Sequence, residues 1–334
     1  MPAIPIDETD LRQRTETLLE EVSPGGALGG INPLQGGTSS ITYWSTWTAA
    51  SGEVEKVVLK VAPAGLDPVK NRDVLRQARV LRALTGTGVP VPRVLGEHAG
   101  APPEIPPFFI MSFETGDCVE PNSLPEDRAL PAEEVRSREL RAAEILGLLH
   151  QVLPGEVGLA DEPETSLEAE VSRWRDSFAR CDEDLREGTE DVGEALVASI
   201  PPIGATVLMH GDFRLGNVLS HGHTVESVID WEIWARGDAR VDLAWFLMMA
   251  NPDPDLGRRI AEGMPGNAEL LRAYQDARGQ QVADLEWFAA LVRYKQAAAG
   301  ALITRNARRR AQDSTTHDNN PRLMASARRL LGIG

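Results

Sequence analysis

The run His210-Gly211-Asp212-Phe213-Arg214-Leu215-Gly216-Asn217, followed by Val228-Ile229-Asp230-Trp231-Glu232, sets three polar side chains in an order that phosphoryl transfer can use. Asp212 can accept the proton of a substrate hydroxyl, Asn217 lies where its amide oxygen can reach a divalent cation, and Asp230 adds a carboxylate to the same metal. The reaction explains the residue types. A γ-phosphoryl group passes through a loose transition state whose charge sits on oxygens, so the protein mainly positions reactants and neutralises charge through metal. Mg²⁺ is hard, keeps several waters and needs only one or two protein oxygens, which Asn and Asp supply. The pattern predicts a kinase.

Something must bring Asn217 and Asp230 together. Between them lie Val218-Leu219-Ser220, a His221-Gly222-His223-Thr224 turn, and Val225 to Ile229. Two short β-prone runs around a glycine turn predict a hairpin whose two ends sit side by side. His221 and His223 fall in that turn with no Cys or carboxylate beside them, so they read as a solvated loop rather than a zinc site.

The His210 to Asn217 string, Ile229-Asp230-Trp231-Glu232, and the later Gly237-Asp238 and Asp242-Leu243-Ala244 resemble the aminoglycoside phosphotransferase family. More narrowly they are similar to its bacterial branch, related to the kinase domain found on some acyl-CoA dehydrogenases. The resemblance is specific over residues 205 to 247 and runs with gaps from about Leu34 to about Arg310. It implies an α+β, bilobal, protein-kinase-like fold: a small β-rich nucleotide-binding lobe over 1–111, a hinge at 112–116, and a larger, mostly helical lobe with the acceptor site over 117–334. It also implies ATP and Mg²⁺ as cofactors and a small-molecule hydroxyl as acceptor.

Length and composition agree. A chain of 334 residues is about twice a typical single domain, and 42% hydrophobic residues can build cores for two lobes. No basic-hydrophobic leader opens the chain, the longest apolar stretch near Leu243 to Ala250 is too short for a bilayer, and only Cys118 and Cys181 occur. The expectation is a cytoplasmic protein without membrane association or an obligate protein partner. A net charge of −16 argues against nucleic acid. Much of the acidity lies in Asp161 to Glu194; it reads as a solvated helix surface, or as a negative rim attracting a cationic acceptor.

In the first lobe, Asp10 to Val22 reads as an amphipathic helix. Leu34-Gln35-Gly36-Gly37-Thr38-Ser39-Ser40 leads into a strand at Ile41 to Thr48, a turn at Ser51-Gly52, and a strand Val57-Val58-Leu59-Lys60-Val61. Ahead of a strand carrying Lys60, residues Gly36, Gly37, Thr38, Ser39 and Ser40 read as a phosphate-covering loop, since small residues let backbone N–H groups approach phosphate oxygens. Lys60 stands out because the chain has thirty Arg and four Lys. A Lys inside an apolar strand suits the α- and β-phosphates of ATP. No Walker-type Gly-Lys-Ser/Thr loop occurs.

Asn71 to Leu84 carries a helical stripe. The resemblance implies a Glu on this helix to pair with Lys60, but the matching position is Gln77. The ion pair is then replaced by a hydrogen bond to Gln77 or by Asp73, one turn earlier, and Lys60 is expected to be mobile or turned toward Asp73 until nucleotide arrives. Pro106 to Met111 reads as a buried edge strand, and the resemblance makes the segment after it the hinge, with Met111 and Phe113 lining the adenine pocket.

Beyond the hinge, helices are expected at Arg138 to Val152, at Leu167 to Leu185, and at Leu285 to Arg310 as a pair or one kinked helix, followed by a polar loop at Asp313 to Asn320. By resemblance these helices form the acceptor pocket. His210, Asp238 and Asp242 read as supports of the catalytic loop. Arg214 is in register for a cation that touches the γ-phosphate, or to pair with a carboxylate. The acceptor is an aminoglycoside-like antibiotic, or a hydroxylated acyl or other metabolite; outside the class, Gln77 prompts the alternative of a catalytically idle nucleotide-binding module.

Overall fold

The computed structural model describes residues 6–34, 40–256 and 258–333. The first lobe runs α1 (Glu8–Val22), β1 (Ala27–Leu28), β2 (Asn32–Leu34), β3 (Ile41–Thr48), β4 (Val54–Val61), α2 (Val74–Leu84), β5 (Val94–His98) and β6 (Phe108–Ser112). Its six strands form one antiparallel sheet in the order β1-β3-β4-β6-β5, with β2 also paired to β3. β6 therefore lies between β4 and β5 rather than at an edge. Its Phe108, Phe109 and Ile110 are fully buried because both faces of a central strand are covered.

The two faces of this sheet follow from the period of two. Val57, Leu59 and Val61 of β4 point with Tyr43, Trp47, Phe108 and Ile110 toward α1, where Leu11 and Leu19 close a small core. Asp7 starts α1 by accepting the amides of Thr9 and Asp10. The alternate residues of β4, Lys56, Val58 and Lys60, share the opposite face with Trp44, Phe109 and Met111, their ladder neighbours or next neighbours. That face looks into the cleft.

The second lobe contains α3 (Ala132–Leu149), α4 (Leu167–Ala179), α5 (Glu190–Ala198), β7 (Thr206–Met209), β8 (Val218–His221), β9 (Thr224–Val228), β10 (Ala235–Asp238), α6 (Ala239–Ala250), α7 (Asn267–Arg278), α8 (Leu285–Arg309) and α9 (Asn320–Leu331). β8 and β9 form the expected hairpin, and β7 pairs with β10. α8 is a single helix. α9 is an element that sequence reasoning missed, although Leu323, Met324 and Ala327 mark its buried stripe.

One core runs from α2 across Phe109 to Ile145, Leu208, Phe213 and Trp231, so the first-lobe helix is packed directly on the segments that carry Phe213 and Trp231. Arg76 reinforces this junction: it ion-pairs with Glu162, its guanidinium lies 4.0 Å from the Trp234 ring centroid, and it donates to Trp234 O at 2.8 Å. A second core joins α4, α5, α6, α8 and α9. Among the described residues no helix is long and apolar enough to cross a membrane.

Candidate active site

The His210 to Asn217 segment leaves β7 through a turn that only glycine fits easily. Gly211 has φ +88, and a Cβ there would lie 2.5 Å from Ile233 O. Asp242, in the first turn of α6, accepts the amides of His210 at 2.6 Å and Gly211 at 2.8 Å. His210, fully buried, lies with its ring tilted against Trp231 and bonds through Nε2 to Ile229 O at 2.9 Å. His210 and Asp242 thus hold backbone, while Asp238 caps α6 by accepting the Arg240 amide.

The Asp212 carboxylate is fixed by donors on both oxygens. Oδ1 accepts the indole N–H of Trp245 at 2.9 Å; Oδ2 accepts from Asn217 Nδ2 at 3.0 Å and faces Arg214 Nε at 3.4 Å. Its side chain keeps 28% exposure, so a substrate hydroxyl can reach it. Asn217 Nδ2 also donates to Asp212 O at 2.8 Å, which turns the amide oxygen away from Asp212.

Arg214 bridges two carboxylates, reaching Glu120 Oε2 at 3.1 Å as well as Asp212. Burial pushes the Glu120 carboxyl above its usual range, opposed by the Arg214 guanidinium and the Gly216 amide. Burial works against the Arg214 charge, but Asp212 and Glu120 raise its pKa on balance. Neighbouring Glu139 on α3 is fully buried, and desolvation with the nearby Glu120 drives its pKa well up.

The hairpin does what its sequence promised. Val218 pairs with Val228, and the Ile229 amide donates to Asn217 O at 2.9 Å, so the residues at its two ends are neighbours. Asp230 follows in the left-handed region, φ +67, which costs a non-glycine residue about 1–2 kcal/mol. There its Oδ1 meets Lys60 Nζ at 3.0 Å.

This overturns the expected placement of Lys60. Asp73 is not its partner, because the Asp73 carboxylate caps α2 by accepting the Arg76 amide at 3.0 Å. Gln77 lines the same small cavity as Lys60, Met111, Asp230 and Trp231, but its buried Nε2 has no hydrogen-bond partner. Lys60 is paired rather than mobile; sequence reasoning placed its counter-ion on the wrong lobe.

Met111 is brought to this cavity as expected. Phe113 lies further out, 5.2 Å below the Lys56 ammonium, which also lies 5.6 Å from the Trp44 ring. The segment after Phe113 crosses to the second lobe and docks on β8 through a two-way backbone pair between Asp117 and Ser220. Gly116 permits this approach, since a Cβ there would lie 2.8 Å from Ser220 O. Gly36, Gly37, Thr38 and Ser39 lie outside the described residues; Ser40 is buried at the start of β3.

Sequence reasoning missed Glu120, Trp245, Trp44 and Lys295. Trp245 sits in an apolar helix, where its spacing is that of a core residue, although a buried indole N–H calls for an acceptor. Lys295 carried the same signal as Lys60, a rare Lys in an apolar run. His223 accepts or donates at the Ser137 hydroxyl, 2.8 Å away, in the hairpin turn.

Comparison with known proteins places this geometry. The chain is 27% identical over 233 residues to acyl-CoA dehydrogenase family member 10 of Mus musculus, covering 66% of this chain and 20% of that protein. It is 27% identical over 290 residues to acyl-CoA dehydrogenase family member 11 of Gallus gallus, covering 82% and 36% respectively. The chain thus spans only about a fifth to a third of these relatives' length. Among solved structures, a Ralstonia eutropha protein provisionally assigned as an aminoglycoside phosphotransferase superposes with a TM-score of 0.78 at 20% identity, covering 98% of this chain and 99% of that one. A mutant of aminoglycoside phosphotransferase APH(4)-Ia in complex with ADP and hygromycin B gives 0.60 at 14% identity, covering 95% and 97%. These likenesses establish a bilobal kinase-like fold. The model of the phosphotransferase enzyme family matches residues 30–291, and the chain belongs to that family.

Proposed function

We propose that this chain moves the γ-phosphoryl group of ATP to a hydroxyl of a small molecule, with Asp212 as the base. The observation that carries this reading is the Asp212 carboxylate, partly exposed at the cleft and aimed by Trp245, Asn217 and Arg214. A base held this way accepts the hydroxyl proton as the oxygen attacks phosphorus, and fixed donors keep it from turning away.

Residues 1–111 would bind the nucleotide, 112–116 form the hinge, and 117–334 carry the base and acceptor site. On the cleft face, Val58, Met111 and Trp44 offer apolar surface to a purine, with Phe113 at the hinge, while Lys60 offers a cation to the phosphates. Gly36, Gly37, Thr38, Ser39 and Ser40 would cover those phosphates. The Asn217 amide oxygen and the Asp230 carboxylate are hard oxygen donors on adjacent backbone, a set that suits Mg²⁺ shared with phosphate oxygens. Bound there, the ion would neutralise charge on the transferring group. Arg214 stands beside Asp212, placed to touch the same phosphoryl oxygens if Glu120 releases it.

The acceptor is better read as a metabolite, such as a hydroxylated acyl compound, than as a cationic aminoglycoside. Part of the acidic stretch expected to attract a cation is already neutralised: Asp182 and Asp184 pair with Arg308, and Asp191 with Arg328. Radiolabelled ATP with Mg²⁺ and a panel of aminoglycosides, hydroxyacyl compounds and amino alcohols tests the proposal. Label on a hydroxyacyl compound supports it, label on an aminoglycoside reverses the acceptor choice, and no turnover with any acceptor or water leaves an idle nucleotide-binding module.

A further inference from the structure

Lys295 of α8 lies beyond the matched family region and is only 7% exposed. Burying an ammonium is costly, and desolvation lowers its pKa below the usual Lys range in spite of Glu170, Asp242 and Asp212 nearby. Nζ donates to Gly211 O at 2.6 Å and lies 4.4 Å from the centre of the Trp245 ring, with the Trp174 ring on another side at 5.9 Å. Trp174 is itself held by Glu170 through a 2.8 Å indole bond. The residue before the base is therefore gripped at its amide by Asp242 and at its carbonyl by Lys295.

We propose that Lys295 is a positioning residue of the phosphoryl-transfer site: it fixes the Gly211 carbonyl and holds the Trp245 indole at the angle from which its N–H donates to Asp212 Oδ1. A left-handed glycine has no side chain to limit its motion; the peptide between Gly211 and Asp212 is held on its N–H side by a 3.2 Å bond to His210 Nδ1, and Lys295 holds its carbonyl. The ammonium over the indole face fixes the ring by cation–π attraction. The inference rests on the reading of Asp212 as base.

The test uses the full chain with Mg·ATP, water as acceptor, and a fluorescent ATP analogue for binding. Lys295→Met keeps the length and packing but removes charge and donor, whereas Lys295→Gln restores a donor without the charge. The expected result is a kcat lowered about 10²-fold in the Met variant, partial recovery in the Gln variant, and nucleotide affinity within about twofold of wild type in both. Trp245→Phe should lower kcat too, and its combination with Lys295→Met should be less damaging than the product of the two single effects. Backbone amides at Gly211 and Asp212 should exchange faster in the nucleotide-free Met variant while the α8 amides keep their protection. A Met variant with kcat within threefold of wild type, or one losing kcat and nucleotide affinity in parallel, overturns the proposal. If the Met variant does not fold, a Gln variant with wild-type kcat overturns it equally. Asp212→Asn alongside separates the two claims: its retained turnover sinks the base assignment and this inference with it, whereas its loss beside a fully active Lys295→Met sinks this inference alone.

Discussion

Lys60 Nζ lies 3.0 Å from Asp230 Oδ1, an ion pair across the cleft between residues 170 positions apart, with side chains 12% and 35% exposed. Gln77 is neutral and buried, so the nearest charge available to Lys60 comes from the other lobe. Under the proposed function, Asp230 serves as a counter-ion before it serves a metal. Nucleotide phosphates and Mg²⁺ would then replace each partner of the pair at once.

Lys60→Ala should therefore raise the ATP requirement about 10- to 150-fold, the loss of one hydrogen bond to a charged group. Gln77→Ala should change it by no more than about threefold. Gln77→Glu gives Lys60 a second carboxylate and should lower the Mg²⁺ concentration needed for half-maximal turnover. Titrations of ATP at fixed Mg²⁺ measure the first two, and titrations of Mg²⁺ at fixed ATP the third. Equal damage from Lys60→Ala and Gln77→Ala would mean that Gln77 anchors Lys60 after all.

Asp212→Asn preserves the Trp245 hydrogen bond received at Oδ1 and removes the basic oxygen. The expected outcome is a fall in single-turnover transfer of about 10²–10⁴-fold with fluorescent-nucleotide affinity nearly unchanged. Transfer within about threefold of wild type would place the base elsewhere.

Gly211→Ala forces a Cβ to 2.5 Å from Ile233 O at φ +88. Strain at one such residue costs on the order of 1–3 kcal/mol, and the loop must shift to relieve it. Both the urea midpoint and the turnover should fall. An alanine variant with unchanged midpoint would show that the turn relaxes without loss.

What was legible in the sequence was local. The hairpin between Asn217 and Asp230 follows from β-prone runs around Gly222, and the role of Asp242 as a support follows from its place beside the catalytic string. The counter-ion of Lys60 was not legible, because it depends on how two lobes close and on a left-handed backbone at Asp230 that no pattern announces. Trp245 and Lys295 reach Asp212 and Gly211 from α6 and α8, and in an apolar helix a side chain with such a contact has the same spacing as a core one. Gly36 to Ser39 lie outside the described residues, so their expected role rests on sequence alone.

The last prediction concerns the support behind the loop. His150, fully buried on the far side of Asp242, has Nδ1 2.7 Å from the Tyr274 hydroxyl, while that hydroxyl accepts from Arg278 at 2.8 Å. With Nδ1 against that hydroxyl, the His150 ring sits in a fully buried site that disfavours the charged imidazolium. Burial lowers its pKa below 6.5, against the pull of Asp242 at 3.6 Å. The unfolded chain therefore binds a proton that the folded chain refuses between that lowered pKa and 6.5, and unfolding takes up protons in this window. Stability should be level in this respect above about pH 7 and fall as pH drops below 6.5, by at most about 1.4 kcal/mol per pH unit for one group. His150→Gln cannot titrate; it should be less stable at pH 7 yet show a shallower loss between pH 6.5 and 5 than wild type. Urea denaturation at half-unit steps of pH measures the difference, and parallel curves for the two proteins would mean that His150 is already charged in the fold.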